Sequence, residues 1–167
     1  QHRNLFNPEG ALTLRGVAGT REQLAAVQFR RNNFRQRDQL LDLQAAASHV
    51  ERDAYDAKTL LLSANIERQS NIIWRKKWTW SLGTELLATD ERGVFSDPAV
   101  EETRTFLIAA LPGTLYYDGS DDLLNPTDGF RLGGRLSPEI SAHGGSFAYG
   151  RAQIDASAYH PVSDSTT

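Results

Sequence analysis

Apolar and polar residues alternate with a period of two along most of the chain, the mark of strands with one dry face and one wet face. In Trp78–Thr89, Trp78, Trp80, Leu82, Leu86 and Ala88 share one side with Thr84; Thr79, Ser81, Gly83, Glu85 and Thr89 share the other with Leu87. In Phe130–Ile140, Phe130, Leu132, Leu136 and Ile140 oppose Arg131, Arg135, Ser137 and Glu139. Phe147–His160 sets Ala148, Ala152, Ile154, Ala156 and Ala158 against Arg151, Gln153, Asp155 and Ser157. Leu40–Val50 sets Leu41, Leu43, Ala45 and Ala47 against Asp42, Gln44 and Ser48. Lys58–Arg68 sets Leu60, Leu62, Ala64 and Ile66 against Thr59, Ser63, Asn65 and Glu67. Ala11–Gly19 and Glu22–Arg31 alternate more weakly. Thr103–Asp118 is apolar on both sides over Phe106–Leu111, so its register is unreadable. The pattern predicts about eight antiparallel strands and no helix, because no stretch repeats apolar residues at i, i+3, i+4 and i+7.

Strand length separates the two all-β architectures. Strands of soluble sandwiches average about 5–6 residues, whereas these run about 10–13. At about 3.3 Å per residue and about 40° of tilt, eleven residues rise roughly 28 Å, the height of the apolar band of a transmembrane barrel. The connections fall into two sets. Asn32–Asp38, Ser70–Lys77 and Leu124–Gly129 join one end of the strands; Val50–Asp56, Asp90–Glu102 and Ser141–Ser146 join the other. The longest and most acidic is Asp90–Glu102, which places the second set outside the cell if outer loops are the longer ones.

Composition narrows the chemistry more than the fold. The 167 residues include no Cys and no Met, which removes disulfides, thiolate metal sites and thiol nucleophiles. Starting at Gln1 in mid-element, the chain reads as an excised piece of a longer protein. A net charge of −3 gives no reason to expect a nucleic-acid partner. No apolar run is long enough for a membrane helix, but mean hydropathy of −0.47 suits a barrel as well as a soluble domain, since barrel strands alternate.

Trp74, Trp78 and Trp80 cluster beside Arg75, Lys76 and Lys77. They read as an interfacial aromatic girdle with cations reaching lipid headgroups; the competing reading is a soluble strand whose Trp pair packs a core. Asp118, Asp121, Asp122 and Asp128 fail the calcium-loop pattern, with Ser120 and Leu123 at positions that need a ligand and Gly, so they read as solvated turn carboxylates. His2, His49, His143 and His160 are scattered, and no nucleophile, phosphate-loop or dinucleotide motif occurs. Neither catalysis nor a cofactor is expected.

Leu111–Arg135 reads LPGTLYYDGSDDLLNPTDGFRLGGR. It resembles the signature of the TamA/BamA superfamily of outer-membrane assembly factors: a strand ending Tyr-Asp, a further Asp, then a Pro-Thr-x-Gly turn opening the next strand. The matching residues are Tyr117, Asp118, Asp122, Pro126, Thr127, Gly129 and Arg131, with Asn125 and Asp128 as turn residues able to bond local backbone. The opening HRNLFNPEG is similar to the family's Asn-Leu-Phe-Gly turn, with Asn7 where Gly often stands, and Pro-interrupted Leu111–Gly113 looks nearer TamA than BamA. The resemblance implies that residues 1–167 are a single partial domain, roughly strands three to ten of a sixteen-strand barrel in the bacterial outer membrane. POTRA modules and C-terminal strands lie outside this chain. It further implies insertion or translocation of client outer-membrane proteins, including autotransporters, a periplasm-spanning partner subunit, and no covalent chemistry. A passive porin-like barrel is the second reading and a soluble β-sandwich binding module the third.

Overall fold

The computed structural model describes residues 2–3, 9–52, 55–70, 73, 75–93, 102–142 and 145–161, the first pair as backbone only. These form one antiparallel sheet and no helix. The strands are β1 (His2–Arg3), β2 (Gly10–Ala18), β3 (Glu22–Asn32), β4 (Gln39–Arg52), β5 (Tyr55–Arg68), β6 (Trp78–Gly93), β7 (Glu102–Ala110), β8 (Gly113–Asp118), β9 (Gly129–Ala142) and β10 (Ser146–Tyr159). Sequence neighbours pair in the order of an up-and-down meander, except that β7 and β8 do not pair with each other and both lie between β6 and β9.

β7 and β8 are one strand line with an interrupted ladder. Both pair with β6 and with β9 in unbroken register: Ala110 faces Glu85 and Glu139, and Gly113 faces Leu82 and Leu136. Between them Pro112 has no N–H to give to β6, although its carbonyl accepts from Gly83 N at 2.8 Å. One residue away the same happens towards β9, where Leu111 N donates to Pro138 O at 3.0 Å and Pro138 returns nothing. Each ring lies opposite a glycine: Pro112 opposite Gly83 in the β6 register, Pro138 opposite Gly150 on β10. Counting β7–β8 once, the long strands number eight, the number the alternation predicts.

The two faces differ as the period-two pattern requires, and the register carries one apolar face from β2 to β10. Leu14, Val27, Leu43, Leu60, Leu62, Leu82, Leu86, Leu107, Leu115, Phe130, Leu132, Leu136, Ile140 and Ile154 are all substantially exposed on it, Ile154 by 80%. On the opposite face Ser137 and Glu139 are only 6% and 4% exposed. No second layer covers either face among the described residues; Glu139 is enclosed by its own neighbours on the polar face, Ser137 and the cross-strand Arg151. The register of Phe106–Leu111 also becomes clear. Leu107, Ala109 and Leu111 join the outer face, while Ile108 lies on the inner face beside Leu87 and, beyond it, Leu61, in a short apolar row that hid the alternation.

Only Leu40 and Ala110 are buried apolar side chains among the described residues. The chain exposes 11987 Å², whereas a compact soluble chain of its mass exposes about 8200 Å². A sandwich needs two sheets packed face to face, and here there is one. On β5 the outer-face run Leu60, Leu62, Ala64 and Ile66 is bounded by Lys58 and Arg68. Those ten residue steps rise roughly 25 Å at about 40° of tilt, enough to cross an outer-membrane apolar layer.

The loop lengths behind one expectation, the orientation, come out differently. Measured between strand ends, the connections at the Pro126 end span residues 33–38, 69–77 and 119–128, whereas those at the other end span 19–21, 53–54, 94–101 and 143–145. Apart from 94–101, the longer set is the one that was to lie in the periplasm. β4, β5 and β6 continue past the last clear alternation, to Arg52, from Tyr55 and to Gly93, and absorb what read as loop. Loop length therefore gives no support to the orientation drawn from it. Parts of the acidic Asp90–Glu102 loop, of the opening HRNLFNPEG turn and of Ser141–Ser146 lie outside the described residues.

Candidate functional site

The residues of the turn motif converge at one end of β8 and β9, around a buried carboxylate. Asp118 closes β8 opposite Arg131 of β9 on the inner face and is 5% exposed. Its Oδ1 accepts from Arg75 Nη2 at 2.9 Å, Arg131 Nε at 3.2 Å, Ser120 Oγ at 2.6 Å and Ser120 N at 3.1 Å. Arg75 comes from the neighbouring 69–77 connection and also donates to the Ser120 and Asp121 carbonyls, so one guanidinium ties two loops together. Arg131 donates through Nη2 to the carbonyls of Asp122 and Leu123 and lies over the Tyr159 ring on β10, 5.4 Å from its centroid. Asp118 is thus an ion-paired anchor, not the solvated turn carboxylate its loop-end position suggests. Two fixed guanidinium groups and a hydroxyl replace the water it gives up.

The loop beyond it is organised by the two carboxylates that follow. Asp121 accepts from Thr127 N at 2.9 Å, Thr127 Oγ1 at 2.5 Å, Asp128 N at 3.0 Å and Asp122 N at 2.9 Å, and its own N–H donates to Asp128 O. The Thr127 hydroxyl is the largest influence, followed by the Asp128 and Thr127 amides, and together they hold the Asp121 carboxyl well below the usual carboxylate range. Asp122 Oδ1 accepts from Asn125 N and Leu124 N, each at 2.8 Å, and these amides lower its pKa as well. The sequence reading assigned the local bonding to Asn125 and Asp128; the structure shows their amides donating and the side chains of Asp121 and Asp122 accepting. Pro126 sits between these two carboxylate-bound amide groups, at residues 124–125 and 127–128. Gly129 begins β9 at φ +98°. A Cβ there would stand 2.4 Å from Gly119 O and 2.9 Å from Ser120 Cα, so two backbones meet where no side chain fits.

Tyr117, one residue before Asp118, points to the opposite face. It lies between Trp78 and Phe130, with ring centroids 4.8 Å and 5.3 Å away. Trp80 stands on the same face of β6. The outer face therefore ends, on β6, β8 and β9, in an aromatic cluster that only partly matches the Trp set read from the sequence. Tyr117 and Phe130 belong to it, and Trp74 lies outside the described residues. Two of the three cations expected to reach outward are turned to other work: Arg75 to Asp118, and Lys76 Nζ to Asp38 at 3.5 Å.

The inner face carries a cross-strand polar ladder. Gln28 and Arg30 reach Asp42, Thr59 meets Thr89 at 3.0 Å, Ser81 meets Thr114 at 2.7 Å, and Glu139 holds Arg151 and Ser137. Tyr116 rests on the Gly133 position opposite it, where a Cβ would stand 2.6 Å from the ring. Such pairs fix strand register.

A family model described as the Omp85 superfamily domain matches residues 5–167, and the chain belongs to that superfamily, whose members are outer-membrane proteins. No curated protein and no solved structure matches it.

Proposed function

We propose that this Omp85-superfamily segment is part of the barrel of a bacterial outer-membrane assembly or translocation factor, whose clients are other outer-membrane proteins and which does no covalent chemistry. One observation carries the reading beyond the family match: the apolar face runs from β2 to β10, ends in Lys58 and Arg68 on β5 and in aromatic rings on β6, β8 and β9, and has no layer over it among the described residues. A lipid bilayer is the medium that such a surface suits. The break at Leu111–Pro112 supports placing the chain nearer TamA than BamA, and with it autotransporter clients and a periplasm-spanning partner.

The test uses the full-length protein reconstituted into phospholipid vesicles. A urea-unfolded client barrel is added, and its folding is followed by heat-modifiable mobility. An assembly factor accelerates folding over protein-free vesicles. Ion conductance without acceleration would make the protein a passive pore.

A further inference from the structure

The outer-face belt at the aromatic end changes character around the sheet. On β6, β8 and β9 it presents Trp78, Trp80, Tyr117 and Phe130; on β3 and β5 the corresponding outward positions are Arg31 and Arg68, with Arg68 directly opposite Trp80. Arg31 adjoins the 33–38 connection. The guanidinium carbons of Arg31 and Arg35 each lie 5.6 Å from the centroid of the Phe34 ring. Sharing that ring puts the two cations no more than about 11 Å apart.

Four other cations at this end are committed: Arg75 and Arg131 to Asp118, Lys76 to Asp38, and Arg30 to Asp42. Among the described residues no carboxylate pairs with Arg31, Arg35 or Arg68, and Arg31 Nε is buried without a hydrogen-bond partner. Glu9, across the turn, is bonded to Asn33 Nδ2.

The backbone supplies a second, independent observation. Asn33, Arg35 and Asp38 all have positive φ, at 52°, 61° and 65°. Asn tolerates that region, and Asn33 is further held by its bonds to Glu9 and to Asp38 N. Arg35 has neither advantage, and glycine would fit its backbone better. The strained conformation keeps a guanidinium beside Phe34.

We infer that Arg31, Phe34 and Arg35 form a binding site for the phosphate of a membrane-lipid headgroup, with Arg68 two strands away as a further cation. Guanidinium forks match phosphate oxygens in pairs, and an aromatic ring at headgroup depth anchors the site in the interface. The phosphodiester of a glycerophospholipid and the phosphomonoester of lipid A share this chemistry. The inference deepens the barrel reading and rests on it.

The full-length protein, folded in a neutral detergent, is mixed with phosphatidylglycerol, phosphatidylcholine or lipid A, and retained lipid is counted by native mass spectrometry. The expected result is about tenfold tighter retention of an anionic lipid than of phosphatidylcholine, a difference that shrinks as salt rises. Arg35→Gly, which relieves the backbone, folds at least as well as the parent and loses the preference; Arg31→Gln loses it too. Preference for phosphatidylglycerol or for lipid A identifies the source, and either supports the site. Equal retention of all three lipids, or full preference in Arg35→Gly, overturns it. Heat-modifiable mobility on the same samples keeps the premise separate. Protein that never folds in detergent refutes the barrel, whereas a folded barrel without preference refutes only the site.

Discussion

Replacing Gly129 by alanine tests the turn where the geometry is least forgiving. At φ +98° any L-residue is strained, by about 1–2 kcal/mol for the left-handed region. The new Cβ would also overlap Gly119 O at 2.4 Å and Ser120 Cα at 2.9 Å, both backbone atoms that no rotamer change can move. Gly119 is itself fixed by its N–H bond to Phe130 O at 2.9 Å, so relief means shifting the loop away from β9, with an overpacking cost of about 1–3 kcal/mol. The sum is a loss of about 2–5 kcal/mol, a large part of ordinary folding stability. The control is Gly134→Ala on the same strand, where φ is not positive and nothing lies within 4 Å of the added methyl. Removing a strand glycine there leaves stability level or slightly raised. Full-length protein is refolded into detergent across a urea series, and the folded fraction is read from heat-modifiable mobility. A Gly129→Ala midpoint equal to that of Gly134→Ala would refute the close-approach argument.

Three further outcomes are expected. Single cysteines at Leu132 and Leu136 react with a lipid-restricted probe and those at Arg135 and Gln153 with an aqueous one; the reverse would mean the register is off by one residue. Asp118→Ala leaves Arg75 and Arg131 facing each other without their anion and destabilises the folded barrel by about 2–4 kcal/mol in urea titration, whereas Asp128→Ala, which removes no side-chain contact to the network, has little effect. Because the folded-state pKa of Asp121 is depressed, its contribution is complete above the ordinary carboxylate pKa and is lost as pH falls through the folded value. The stability gap between parent and Asp121→Asn therefore narrows as pH drops below about 4, and a gap that stays constant through acid would exclude the carboxylate as the loop's organiser.

The alternation was legible because a single sheet with one apolar and one polar face sorts every second residue; Phe130 to Ile140 falls on the faces its sequence assigns. It was illegible at Phe106–Leu111 because the inner face has an apolar row of its own there. The aromatic belt could be read only along one strand. Tyr117 and Phe130 join Trp78 through cross-strand pairing, which no single segment displays. The carboxylates were misjudged for a similar reason. Asp118, Asp121, Asp122 and Asp128 look alike in an acidic loop, yet one lies buried between two guanidinium groups and two accept amides up to seven residues away. Spacing within the loop gives no cue to Arg75, which arrives from a connection more than forty residues earlier.

The motif that carries the family resemblance has a complete structural explanation, and this limits what it says about function. Asp118 and Arg131 form a buried pair, Thr127 and Asp128 give their amides to Asp121, and Gly129 lets two backbones touch. Tyr117 faces away from this network into the aromatic belt, so one dipeptide serves both the inner ion pair and the outer aromatic cluster. A chain that needed only to close the β8–β9 hairpin in a bilayer would have the same reasons to keep these residues. The turn therefore reports how this end of the sheet is built and is silent on activity. In this chain the groups without a structural explanation stand elsewhere, on β3, β5 and the 33–38 connection, where Arg31, Arg35 and Arg68 have no carboxylate partner among the described residues and Arg35 is held in a conformation that glycine would take more easily. A surface that keeps unpaired charge and backbone strain together is better accounted for by what it binds than by how it folds.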